Sequence, residues 1–90
     1  MKQFSFTIED QNGIHARPAG MIAACAKQYA ATVRIETPTK EADGKRLLSI
    51  MSLGAVKGTS ITFTVEGADE DQALTALKDV CKEHLGYGKA

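Results

Sequence analysis

The sequence predicts an α+β domain in which a four-stranded antiparallel sheet carries three helices on one face, in the order βαββαβα. Three observations predict it. Short runs alternate apolar and polar residues, the pattern of strands buried on one side only. Other runs place apolar residues three and four positions apart, the pattern of helices with one apolar stripe. Pro, Gly and Asn-Gly or Asp-Gly pairs separate these runs, without long linkers, repeats or low-complexity stretches. Strands that bury one face and helices that bury one stripe pack most economically as two layers.

Phe4, Phe6 and Ile8 alternate with Ser5 and Thr7 as a half-buried strand, and Asn12-Gly13 marks the turn after it. Pro18 suits the first turn of a helix, because its φ is already helical and its missing N–H has no partner there. Ala19, Ile22, Ala23 and Ala26 then recur at helical spacing, predicting a slim helix over 16–28. Val33 and Ile35 point inward from a strand over 32–36, which Pro38 ends. A weak edge strand follows near 40–43, its Lys and Glu protecting the edge from pairing with another chain. Leu47, Leu48, Ile50, Met51 and Leu53 crowd a helix of two turns stopped by Gly54. Ile61, Phe63 and Val65 form the clearest strand. Asp69 as N-cap with Gln72 three residues on approximates a capping box for the last helix, and Gly86 ends it. Its apolar face is Ala73, Leu74, Leu77, Val80, Cys81 and Leu85, and a mobile tail is expected over 87–90.

Ninety residues make one domain, 1–90, too short for a two-domain enzyme with a cofactor cleft. Eleven Lys and Arg balance eleven Asp and Glu, so the clustered positive excess that holds nucleic acid is absent. Cys25 and Cys81 stand 56 positions apart in helical stretches, outside any metal-ligand spacing, and read as small buried hydrophobes of a reducing compartment. The N-terminus has no secretory pattern, and the run over 18–26 falls short of the ~20 residues of a membrane helix. A cytoplasmic protein with no membrane insertion, metal or cofactor is expected. No phosphate-binding glycine motif occurs, so no nucleotide site is expected, and no Ser-His-Asp order or paired-carboxylate motif suggests hydrolysis.

One stretch carries chemistry: Gly13-Ile14-His15-Ala16-Arg17-Pro18. It sets a histidine just before a helix start, with an arginine two residues later. The first N–H groups of a helix have no internal partner and carry partial positive charge. That field favours the neutral, nucleophilic imidazole, while the same N–H groups and Arg17 suit an anion. On spacing alone, a loop histidine beside a solvated Arg17 is the stronger reading. His84, near the end of the last helix, reads as a favourable charge at a helix C-terminus.

The stretch Gly13-Ile14-His15-Ala16-Arg17-Pro18-Ala19 resembles the active-site motif of the HPr family, the histidine-containing phosphocarriers of the bacterial phosphotransferase system. Ser49-Ile50-Met51-Ser52-Leu53-Gly54 with Lys57-Gly58 resembles the family's second-helix region. The run Glu66-Gly67-Ala68-Asp69-Glu70-Asp71 resembles the start of its last helix, so the likeness covers essentially the whole chain. It implies an open-faced β-sandwich of four antiparallel strands and three helices. It implies that His15 takes a phosphoryl group, on Nδ1, from phosphorylated enzyme I and passes it to the IIA component of a sugar permease. Arg17 would steady the phosphate, the backbone N–H groups of Ala16 and Arg17 would hold the anion, and Pro18 would set the helix start. The resemblance also leaves room for regulatory proteins as further partners, and a monomer is the default for such a carrier. An alternative is a regulatory binding module of the same fold, with His15 phosphorylation as its switch.

The second helix is too short to bury all its apolar residues, so some are exposed for a partner. The family's docking role there points to Leu47, Leu48 and Met51, with Lys27 as a steering charge at the rim. Many relatives carry a regulatory serine just before this helix. A gapless match puts Arg46 at that position, while Ser49 fits only with a compensating shift in the preceding loop. Serine phosphorylation is therefore not expected.

Overall fold

The computed structural model describes residues 1–87. The elements are β1 (Lys2–Thr7), α1 (Ala16–Lys27), β2 (Thr32–Glu36), β3 (Glu41–Asp43), α2 (Leu47–Met51), β4 (Ser60–Glu66) and α3 (Glu70–His84). The strands form one sheet in the order β1-β4-β2-β3, with antiparallel neighbours throughout. β1 and β2 therefore run parallel on either side of β4, and β3 and β4 run parallel on either side of β2. The connections through α1 and α2 each join two parallel strands that flank a third, and α1 packs against both α2 and α3 in one helical layer. The expected fold class is the one observed.

The register explains the layers. Phe4 faces Phe63, Val33 faces Val65, and Ile35 faces Phe63. These side chains are buried with Ile22, Ile50, Leu77 and Leu85 in one core. Phe4 and Phe63 stack with ring centroids 4.8 Å apart. The opposite face is polar and knitted across strands, with Gln3 Nε2 donating to Thr64 Oγ1 at 3.0 Å and Ser5 Oγ lying 2.8 Å from Thr62 Oγ1.

Three expectations need correction. The second helix ends at Met51, not at 53. Leu53 and Gly54 donate to the carbonyls of Ile50 and Met51, tightening the last turn, and Gly54 leaves it at φ 61°. The turn carries Leu53 into the core. The tail expected to be mobile over 87–90 begins with a packed residue. The Tyr87 ring lies 4.8 Å from that of Phe6, and its N–H donates to the Cys81 carbonyl; 88–90 lie outside the described residues.

The third correction concerns Asp69. It precedes α3 as expected, and its carbonyl accepts the Ala73 N–H, but its side chain makes no capping bond. The turn after α1 leaves the N–H groups of Ala30 and Ala31 needing acceptors, and the Asp69 carboxylate takes both, at 2.9 and 2.8 Å. The Ala30 N–H above all, helped by the Ala31 N–H and the Lys45 ammonium, holds the carboxyl below its ordinary value. A carboxylate favoured in the folded state stabilises fully above the ordinary carboxylate range, and that contribution fades as pH falls through the depressed folded value. Asp69→Asn is therefore expected to melt several degrees below the parent at neutral pH. The gap should narrow below about pH 4. Thermal unfolding between pH 3 and 7 reads this, and a gap constant with pH would refute it.

Candidate phosphoryl-transfer site

The loop before α1 is anchored at each step. The Gly13 N–H donates to the Asp10 carbonyl at 3.0 Å, and the Asn12 N–H to Asp10 Oδ1 at 2.8 Å. Ile14 is buried, and its N–H donates to the Ala55 carbonyl at 3.0 Å. Gly13 sits at φ 63°, and a Cβ there would drive into the Ala55 carbonyl oxygen. This turn brings the segment after α2 against the residues that carry His15.

His15 is the N-cap of α1, extended at φ −95° and ψ −173°. Its carbonyl accepts the Ala19 N–H at 3.0 Å, which opens the helix. Its half-exposed imidazole makes no capping bond, so the ring is not tied to the backbone. Pro18 is buried and has no N–H to donate. Among the described residues, the N–H groups of Ala16 and Arg17 have no acceptor, and the exposed Arg17 guanidinium has no ion-pair partner. Two unpartnered N–H groups at a helix start and a free guanidinium, next in the chain to an untethered imidazole, can steady an anion against a nucleophile.

Asp10, His15, Arg17, Pro18, Glu83 and His84 line one cleft of about 350 Å³. Three of these, Asp10, Glu83 and His84, come from outside the sequence motif. His84 lies in the last turn of α3 as expected, but its side chain is only 13% exposed, which the sequence reading did not anticipate. Its Nε2 is buried with no hydrogen-bond partner among the described residues, and the Glu83 carboxylate stands 4.0 Å away. The signal was present: position 84 follows Leu77, Val80 and Cys81 at seven, four and three residues, on the apolar stripe rather than the wet face.

The partner residues separate in space. Leu47, Leu48 and Met51 are 40%, 79% and 38% exposed, while Ile50 and Leu53 are buried. Met21 and Val56 are also exposed and were not anticipated. Met21 follows Arg17 by four residues on α1, which sets the two on one helix face. Lys27 is exposed at the far end of α1, about 15 Å along the axis from Arg17. Arg46 is the exposed residue before α2, and Ser49 lies inside the helix, where its Oγ accepts the Asp43 N–H at 2.9 Å.

The cysteines offer no competing nucleophile. Burial pushes the Cys81 thiol far above its ordinary range, and partial burial with Asp79 nearby raises that of Cys25. Among the described residues no group of three or more His, Cys, Asp or Glu could hold a metal, and no helix is long and apolar enough to cross a membrane.

A family model described as the PTS HPr component phosphorylation site matches residues 2–83. A phosphocarrier protein HPr of Lysinibacillus sphaericus is 42% identical over 83 residues, covering 92% of this chain and 94% of its own. The histidine-containing phosphocarrier protein of Mycoplasma superposes with a TM-score of 0.89 at 33% identity, covering 91% of this chain and 93% of its own. An HPr from Thermoanaerobacter tengcongensis gives 0.87 at 32%, covering 96% and 97%. Sequence, fold and the placing of His15 at a helix start agree, and the chain belongs to the HPr family of phosphocarriers of the phosphotransferase system.

Proposed function

We propose that His15 accepts a phosphoryl group from phosphorylated enzyme I and passes it to IIA components of sugar permeases. In each step a ring nitrogen of His15, Nδ1 in this family, either forms or gives up the P–N bond. On loading, its lone pair bonds to phosphorus while the donor takes back the electron pair of the bond that breaks. On unloading, the acceptor's lone pair displaces the ring. The chain ends each cycle as it began, a stoichiometric carrier in the cytoplasm rather than a catalyst. The observation that carries this reading is the untethered His15 ring beside the unpartnered Ala16 and Arg17 N–H groups and the Arg17 guanidinium. Phosphoryl transfer demands mainly positioning and charge stabilisation, which this arrangement supplies. Phosphoenolpyruvate with enzyme I is expected to add one acid-labile phosphate per chain; no labelling would end the proposal.

Partners dock, in the same reading, on the exposed face of Leu47, Leu48 and Met51, with Lys27 steering at a distance. Leu48 is the most exposed of the three apolar residues, so replacing it barely touches the core. Leu48→Asp is expected to slow phosphorylation by enzyme I about tenfold, from the loss of an apolar anchor. Stability should stay within about 0.5 kcal/mol of the parent, as for surface substitutions. An unchanged rate under subsaturating enzyme I would remove Leu48 from the interface.

A further inference from the structure

We propose that His84 is a positioning residue of the phosphoryl-transfer site, its ring N–H donating from the α3 wall of the cleft to the oxygens of the group carried by His15. The proposal rests on the phosphocarrier reading of His15 and adds a second histidine to it. His84 lines the cleft with His15 and Arg17, the latter two from the N-terminal end of α1. The Leu85 carbonyl accepts the Glu9 N–H at 3.2 Å, which fixes the end of α3 against the loop that leads to His15. The ring is mostly buried, and its Nε2 has no partner among the described residues. Glu83 does not hold it, since that carboxylate lies 4.0 Å away on a side chain 77% exposed.

A buried polar nitrogen without a partner is unfavourable where it stands, so turning the ring toward an anion is not resisted by any bond it must break. Whichever tautomer is present, one ring nitrogen is a donor. Arg17 and the first N–H groups of α1 reach the anion from one side, and His84 supplies a donor from the other. The groups facing His84 are Asp10 from the loop, His15 and Arg17 from the start of α1, and Glu83 from its own helix. Only the His84 ring and the positive groups on α1 can donate to a phosphoryl oxygen, because the two carboxylates are acceptors.

The consequence is a longer-lived phosphohistidine. In hydrolysis a water oxygen bonds to phosphorus and the P–N electron pair returns to the ring, releasing inorganic phosphate. In a loose transition state the group approaches metaphosphate, whose oxygens share less negative charge than those of the phosphohistidine dianion, the difference passing to the departing ring nitrogen. A donor to those oxygens therefore stabilises the phosphorylated state more than the transition state.

The test loads the full chain with phosphoramidate, a small phosphodonor, so that it does not depend on enzyme I. Loss of phosphohistidine is then followed by 31P NMR at neutral pH. His84→Leu is expected to lose phosphate about five- to tenfold faster than the parent, a fraction of one hydrogen bond to a charged group, because that bond is weakened rather than lost in the transition state. His84→Gln, which keeps an N–H donor, should stay within about twofold. In the parent chain the 15N signals of the His84 ring should move on phosphorylation of His15, and this reading needs no variant to fold. Equal lifetimes in parent and leucine variant, equally short lifetimes in leucine and glutamine variants, or unmoved His84 signals would overturn the proposal. Loading by phosphoramidate without loading by enzyme I would overturn the partner assignment alone. Absence of phosphohistidine at His15 under phosphoramidate would overturn both.

Discussion

His15→Ala is expected to abolish phosphate incorporation from phosphoenolpyruvate and enzyme I while leaving the fold intact. The nucleophile is irreplaceable within the cleft. His84, the other imidazole there, is only 13% exposed, against the half-exposed His15, and no free helix-start N–H groups lie next to it in the chain to hold a phosphoryl group on its own ring. Both thiols are pushed up by burial, Cys81 most strongly, and so hold little thiolate. The fold should survive because the His15 side chain makes no capping bond, and only its backbone carbonyl opens α1. Intact-mass measurement gives the phosphate count and urea unfolding the stability. The stability is expected to stay within about 0.5 kcal/mol of the parent. A labelled alanine variant would place the acceptor elsewhere.

Gly13→Ala is expected to have the second largest effect, on stability and transfer together. The residue sits at φ 63°, where a side chain costs roughly 1–2 kcal/mol. Its Cβ would also meet the Ala55 carbonyl oxygen and lie 2.7 Å from Val56 Cα, both backbone, which cannot swing aside as a side chain can. Relief requires pulling the loop away from Ala55, which breaks the bond from the Ile14 N–H, at about 1 kcal/mol more. A total near 3 kcal/mol is a large part of the ~5–15 kcal/mol that stabilises an ordinary domain. The same movement displaces His15 two residues on. Misplacing a reacting group by about 1 Å can cost on the order of a hundredfold in rate. Urea unfolding and enzyme I kinetics read the two effects. A variant as stable and as fast as the parent would show that the turn opens freely.

What the sequence made legible was periodic. β4 and α3 alternate and repeat cleanly, and their apolar residues fill the core as expected. The motif around His15 was legible because a helix start, an arginine and a proline are local features. Failures came where a residue had two available partners and tertiary structure chose between them. Asp69 could cap α3 or serve the turn after α1, and only the packed chain brings Ala30 and Ala31 to it. Tyr87 lies beyond the last helix, so nothing local announces its contact with Phe6. Residues 47–53 showed that some apolar side chains had to be exposed. The division into buried Ile50 and Leu53 and exposed Leu47, Leu48 and Met51 follows from how the last turn tightens. Asp10, Glu83 and His84 are far from the motif along the chain, and only the join between the end of α3 and the first loop assembles them with His15.

The two carboxylates in that cleft bear on more than its shape. Asp10 and Glu83 stand in the space that a phosphoryl group on His15 would share with Arg17. Such a group brings further negative charge, and like charges at close range raise the free energy of the loaded form. A site built only to bind would surround the anion with cations and hold it. In the proposed relay, this cleft pairs a cation and N–H dipoles with two opposing anions. It thereby keeps the group-transfer potential of the phosphohistidine high, so that the next protein can take the cargo downhill.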